Sequence, residues 1–156
     1  MTAALAPTLA AIRPNEWELP LFLHVLSALV LIGAVVLALL ALMGIWRGGP
    51  GAWRYTYLTI SWVALPAWIV LRLTSEWILD KEGLQDAELE WIDIGFSIAE
   101  PTFLLLIIAA VIARVKKGQA EDGAAPGWGG RIATGLVSTC LLGLLFALWA
   151  MTTKPV

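Results

Sequence analysis

From Leu19 to Trp46 the chain reads LPLFLHVLSALVLIGAVVLALLALMGIW, a run in which His24 is the only ionisable side chain. Such a run is too long and too evenly apolar to be the inner face of a water-soluble helix. A hydrocarbon core about 30 Å thick needs roughly 20 helical residues to cross it. Three further segments meet that requirement, at about Tyr57 to Ile78, Trp91 to Val115 and Arg131 to Met151. Inside lipid every backbone N–H and C=O must find its partner within the protein, so each segment is expected to be a helix. The expected fold class is all-α, a transmembrane four-helix antiparallel bundle over residues 19–151, with helices at about 19–46, 57–78, 91–115 and 131–151.

The segments between these runs are short. RGGPGAWRY has the Gly and Pro punctuation of a tight loop, LDKEGLQDAELE is acidic, and KKGQAEDGAAPGWGG is rich in small residues. None is long enough to fold as a domain, and no internal repeat is present. Residues 1–18 read as an external N-terminal segment and 152–156 as an external tail. The opening MTAALAPTLAAIRPNEW has no basic region and too short an apolar stretch for a secretory signal, so it is expected to persist as a segment lying in the interface.

Composition removes several functional classes. With 60% hydrophobic and 14% charged residues, the chain lies outside the range of soluble domains, near 45–50% and about 25%. A net charge of -2 offers no basic excess for a phosphate backbone, so nucleic acid is not an expected partner. The single cysteine, Cys140, excludes an internal disulfide and a thiolate metal cluster and reads as a packing residue. One histidine excludes bis-histidine haem within the chain, and only Met151 could sit near the polar residues as a soft copper(I) ligand. There is no HExxH, GxSxG, P-loop or Cys–His pairing, so enzymatic activity is not expected. The sequence assigns no metal and no cofactor.

Lys and Arg in short loops are retained on the cytoplasmic side. Arg47, Arg54, Arg114, Lys116, Lys117 and Arg131 fall on one side, against Arg13, Lys81 and Lys154 on the other, which predicts both termini outside. Tryptophan prefers the headgroup level. Trp17, Trp77, Trp91 and Trp149 would mark the outer interface and Trp46, Trp53 and Trp128 the inner one, leaving Trp62 and Trp68 for the interior.

Ionisable groups within a span cost about 2.5–3.5 kcal/mol each on insertion scales, so each asks for a partner or a function. There are five: His24, Arg72, Glu76, Asp93 and Glu100, all in the outer half under this orientation. Residues three, four or seven apart share a helix face. Arg72 and Glu76 form one polar stripe, Asp93, Ser97 and Glu100 a second, and His24 with Ser27 a third. Facing inward, the three would enclose a polar pocket open to the outside. Alternatively Arg72 neutralises Glu100 across the helices in a structural ion-pair network, with Glu76 and Asp93 at headgroup level.

Close helix packing in lipid depends on small residues. Gly135, Thr139, Gly143 and Ala147 recur every four residues and are expected to press against another helix, of this chain or a partner. Pro66 and Pro101 are expected to interrupt and bend their helices, each freeing a carbonyl one turn earlier. Pro20, in a first turn, removes only a donor that had no partner.

The first-helix run LFLHVLSALVLIGAVV and the terminal MTTKPV resemble uncharacterised bacterial four-helix integral membrane proteins, distantly similar to the membrane domain of copper-resistance D proteins. His24 and Gly33 match that group's first-helix His and Gly, and Met151, Lys154 and Pro155 its closing MxxKP. The tryptophan and paired glycines common after that histidine are here Leu31 and Gly33–Ala34, and no second histidine is present. The resemblance implies a four-span fold and a bacterial membrane address, and leaves function open.

Two functional classes follow. One is an accessory or scaffold component of the bacterial cytoplasmic membrane, partnered by the lipid bilayer and by a larger membrane complex or a homo-oligomer. The other is a transporter or binding protein using His24, Arg72, Glu76, Asp93 and Glu100 as an outward-facing cation or proton site. Haem or quinone at a dimer interface, through His24 of two chains or an aromatic slot at Trp62 and Trp68, is a third possibility.

Overall fold

The computed structural model describes residues 18–45, 51–83, 90–121 and 127–153. Arg13, Trp17, Trp46, Arg47, Lys154, Pro155, the side chain of Trp91 and residues 1–17 lie outside what is described. Among the described residues all regular structure is helical: α1 (Glu18–Ile45), α2 (Ala52–Thr59), a π-helical turn (Ile60–Ala64), α3 (Leu65–Glu82), α4 (Glu90–Glu121) and α5 (Gly127–Thr152). Because α2, the π turn and α3 follow without a break, the helices make four rods. Each is long and apolar enough to cross a membrane, over Glu18–Gly44, Ala52–Lys81, Ile92–Gly118 and Gly127–Thr152. The protein is therefore built as a multi-pass membrane protein.

Three of the four rods outrun the apolar segments from which they were expected. The second begins at Ala52 rather than near residue 57, because Gly51 takes a left-handed conformation (φ 78°) and its carbonyl accepts from the Tyr55 N–H. That extra turn is amphipathic, burying Ala52, Trp53 and Thr56 while Arg54 and Tyr55 face out. At the far end Gly83, also left-handed (φ 63°), closes α3 through its N–H to the Asp80 carbonyl. Glycine reaches this region without steric cost, which fixes where both ends fall.

The two interior prolines are accommodated differently from the expected interruption. Ahead of Pro66 the helix widens into the π turn, in which the Leu65 N–H reaches back to the Ile60 carbonyl. Pro66 thereby becomes a first-turn proline of α3, where a missing N–H is tolerated. Around Pro101, α4 stays continuous. Beside the Ser97 carbonyl, which Pro101 leaves without its backbone donor, the Thr102 hydroxyl donates to Ile98 O (2.7 Å) and the Trp68 indole to Ala99 O (3.0 Å).

Inter-helix contacts fix the arrangement. The N-terminal part of α1 meets the C-terminal part of α3 at His24–Ser75, and α3 meets the N-terminal part of α4 at Trp68–Ala99. Gly95 near the start of α4 lies under Met151 at the end of α5, while Gly129 at the start of α5 lies under Lys116. Successive rods are therefore antiparallel. Each packs against two others, α1 against α2–α3 and α5, and α4 against α2 and α5, which closes a ring of four. Glu18, Lys81, Ile92 and Thr152 mark one end, the Glu18 end. Arg54, Arg114, Lys116, Lys117 and Arg131 lie toward the other, the Arg131 end.

Side-chain size is inverted relative to a soluble protein. Leu29, Leu37, Leu73, Leu104 and Leu142 are among many large apolar residues on the outside, whereas Ala38, Ala64, Ala109, Ala113 and Ala133 are fully buried. In lipid the outside gains nothing by being polar, and close packing of backbones requires small residues between rods. A few large side chains, Leu31, Val35, Leu42, Ile60, Leu106 and Val137, fill the centre.

The small-residue stripe of α5 does not behave as one face. Gly143 packs at Ile98, where an added Cβ would sit 3.2 Å from the Ile98 methyl, and Ala147 is half-buried. Gly135 and Thr139 are exposed, and nothing lies within 4 Å of a Cβ at Gly135. A strict four-residue repeat advances about 40° per step, so its ends diverge by roughly 120° over three steps. The face that does pack is Ala133, Val137, Cys140 and Leu144, whose 4-3-4 spacing follows the helix period.

Substituting Ala109→Leu overpacks a fully buried position and is expected to cost about 1–3 kcal/mol. Thermal unfolding in detergent should show a lowered midpoint for this variant and a nearly unchanged one for Leu104→Ala, on the exposed side of the same helix.

Candidate functional site

Arg72 is the hub of the ionisable residues. On α3, one turn separates it from Glu76, and the two form an ion pair. Across the seam, its Nε lies 3.4 Å from Oε1 of Glu100 on α4, and its guanidinium stacks over the Phe96 ring at 4.3 Å. The antiparallel register brings these together: Arg72 lies nine residues before Lys81, and Glu100 eight residues after Ile92. At 1.5 Å per residue each is about 12–14 Å along its rod from the Glu18 end. Glu76 is about 7 Å from that end by the same rise. Both pairings available to Arg72 from the sequence are therefore formed.

Their direction differs from an enclosed pocket. Side-chain exposure is 27% for Arg72, 55% for Glu76 and 64% for Glu100, so the carboxylates lie on the outer surface of the ring. Asp93 and Ser97 are also exposed. No hydrogen bond or ion pair joins Asp93 to the described residues. The seam opens toward this end, because α3 touches α4 much less than α2 does. Just below, Trp68 stacks on Phe103 with ring centroids 4.3 Å apart, and its indole holds the Ala99 carbonyl. That aromatic pair marks where the two rods come together.

His24 belongs to a separate group. Its Nδ1 lies 3.4 Å from Thr74 Oγ1 and 3.3 Å from Ser75 Oγ. Both hydroxyls already donate to backbone, Thr74 to Val70 and Leu71 and Ser75 to Leu71. With those protons on the backbone, the two oxygens can accept from the imidazole in its Nδ1-protonated tautomer. Ser27, expected to share a polar stripe with His24, is buried and donates to the His24 carbonyl at 2.9 Å. Around α3, the pair Thr74 and Ser75 lies about 130° from the pair Arg72 and Glu76. The five residues thus lie in the same half of the molecule, with Asp93 near the rod end, but divide between the α1-facing and α4-facing sides of α3. Among the described residues no three His, Cys, Asp or Glu side chains gather as a metal-ligand set.

Thr74, Ser75 and Phe96 were not singled out from the sequence. The hydroxyls could have been found by depth, since His24 lies six residues from Glu18 and Ser75 six from Lys81 on an antiparallel neighbour. Phe96, four residues before Glu100 on α4, is the aromatic surface beside the guanidinium. Trp68 fills the protein interior, while Trp62 is 73% exposed and Trp53, expected at the inner interface, is buried. An aromatic slot formed by Trp62 and Trp68 together is therefore absent: one faces out and the other in. Trp77, Trp128 and Trp149 are exposed near rod ends, and Trp128 carries Arg131 over its ring. Searches against protein-family models, curated proteins and solved structures return no match for this chain.

A double-mutant cycle of Arg72→Gln with Glu100→Gln, followed by unfolding in detergent, should give a coupling of about 0.5–1 kcal/mol for this part-exposed pair. The cycle of Arg72→Gln with Asp93→Asn should give a coupling near zero.

Proposed function

We propose that the protein is a non-catalytic component of a bacterial cytoplasmic membrane, an accessory or scaffold subunit that packs against another membrane protein along the α3–α4 seam. The observation that carries this reading is the outward placement of Arg72, Glu76 and Glu100, two of them well within the hydrocarbon depth of their rods. Charges facing lipid are expensive, and those found in membrane spans generally face protein or water. A protein neighbour covering the seam removes that cost. Many large apolar side chains, among them Leu29, Leu37, Leu73 and Leu142, cover the outside elsewhere and suit lipid.

The Arg131 end is assigned to the cytoplasm, because the basic side chains gather there and are retained on that side. Both chain termini then lie outside. The lack of catalytic motifs supports a non-enzymatic role. A cation or proton site built from all five ionisable residues would need them around one space, and their division between two sides of α3 argues against it. The reading predicts that extraction in mild detergent, followed by native mass spectrometry, yields an assembly heavier than the 16.8 kDa chain. A strictly monomeric, partnerless species would contradict it.

A further inference from the structure

We infer that the α3–α4 seam receives a transmembrane helix of another protein carrying one basic side chain, lysine or arginine, at the depth of Glu100. This rests on the subunit reading above and specifies the chemistry of the partner. Charge balance comes first. Arg72 supplies one positive charge against the carboxylates of Glu76 and Glu100, so the group carries an excess of one negative charge when all three are ionised. Asp93 points to the same side, since seven residues advance a helix to within about 20° of the same direction, but it lies at the end of its rod, as Lys81 does, and is not counted in that excess. The described residues offer no second cation at that depth: His24 is on the α1-facing side, and Lys81 lies at the end of the rod.

The face has the pattern of a helix-packing stripe. Below Glu100 it continues through Leu104, Ile108 and Val111, all exposed, at three- and four-residue spacing. Polar side chains thus occupy the end where the seam is open, and apolar ones the remainder. A helix laid along this stripe would bury its own apolar face against Leu104, Ile108 and Val111 and bring one residue level with Glu100. A second copy of this chain fits less well. A two-fold contact sets the same patch against itself, which doubles the acidic excess rather than neutralising it. A single lysine or arginine neutralises it, and one charged group opposite another is a strong determinant of partner choice in lipid.

The test uses the full chain, donor-labelled and reconstituted in phosphatidylcholine vesicles. Acceptor-labelled polyleucine helices of about 23 residues carry arginine, glutamine or leucine eight positions from one end. Energy transfer should show the arginine helix binding at least about tenfold more tightly than the leucine helix. The preference should vanish in the double variant Glu76→Gln, Glu100→Gln. As a control on folding, Glu100→Arg should instead prefer a helix carrying glutamate at that position. Equal transfer to all three helices, or a preference for arginine that survives the double variant, would overturn the inference. Self-association of the chain matching its binding to the arginine helix would also overturn it, making a second copy the partner and leaving the subunit reading intact. Native mass spectrometry decides that reading separately.

Discussion

Within hydrocarbon no solvent is present to satisfy a backbone N–H or C=O, and each unpaired group there costs several kcal/mol. The second rod meets this constraint even where the sequence works against it. Pro66 removes a donor in the middle of the second span, and the turn before it opens into a π-helical form so that the proline begins a new helix. Pro101 likewise removes a donor within α4, which stays continuous; beside the Ser97 carbonyl that it leaves without a backbone partner, the Thr102 hydroxyl and the Trp68 indole bond the Ile98 and Ala99 carbonyls. The second device has a tertiary consequence. By reaching across to Ala99, Trp68 ties the second rod to α4 below the point where their seam opens.

With the backbone satisfied inside each rod, association depends on how closely the rods approach. Alanines at the interior and leucines on the exterior follow from that, and a small core of Leu31, Val35, Leu42, Ile60, Leu106 and Val137 fills the remaining space. Contact is close between α2 and α4 and between α4 and α5, and looser between α3 and α4. The looser end is where the charges sit. A guanidinium flanked by Phe96, Glu76 and Glu100 takes more room than alanine-to-alanine packing allows, so the opening and the charged group go together.

Much of this was legible in the sequence, for physical reasons. Apolar length specified four helices, because lipid permits little else, and their antiparallel order followed from short connections. The Arg72 pairings were legible because a four-residue spacing and an antiparallel register leave few partners at that depth. What sequence could not supply was rotation about each helix axis. In a soluble protein the apolar face reveals it, but in lipid both the outside and the inside of a rod are apolar. The sequence therefore leaves open whether Glu100 and Asp93 point into an enclosed pocket or away from it, and both are exposed. Gly135 and Thr139 were read with Gly143 as one contact stripe although the helix carries them to a different side. Trp53 lies at the end of its rod, as its position beside a loop implied, but is packed against neighbouring helices rather than exposed there.

Two polar groups at one depth, His24 with Thr74 and Ser75 on one side of α3 and Arg72 with Glu76 and Glu100 on the other, define the asymmetry of the molecule. The first is accommodated inside the ring. The second is left on the surface, and the account turns on what covers it. In-cell photo-crosslinking from benzoylphenylalanine placed at Ser97 or Leu104 along the seam, compared with Leu37 on the outside of α1, tests this directly. The account predicts a protein adduct heavier than the 16.8 kDa chain from the seam positions and none from Leu37. The same pattern from both faces, or no protein adduct from the seam, would contradict it.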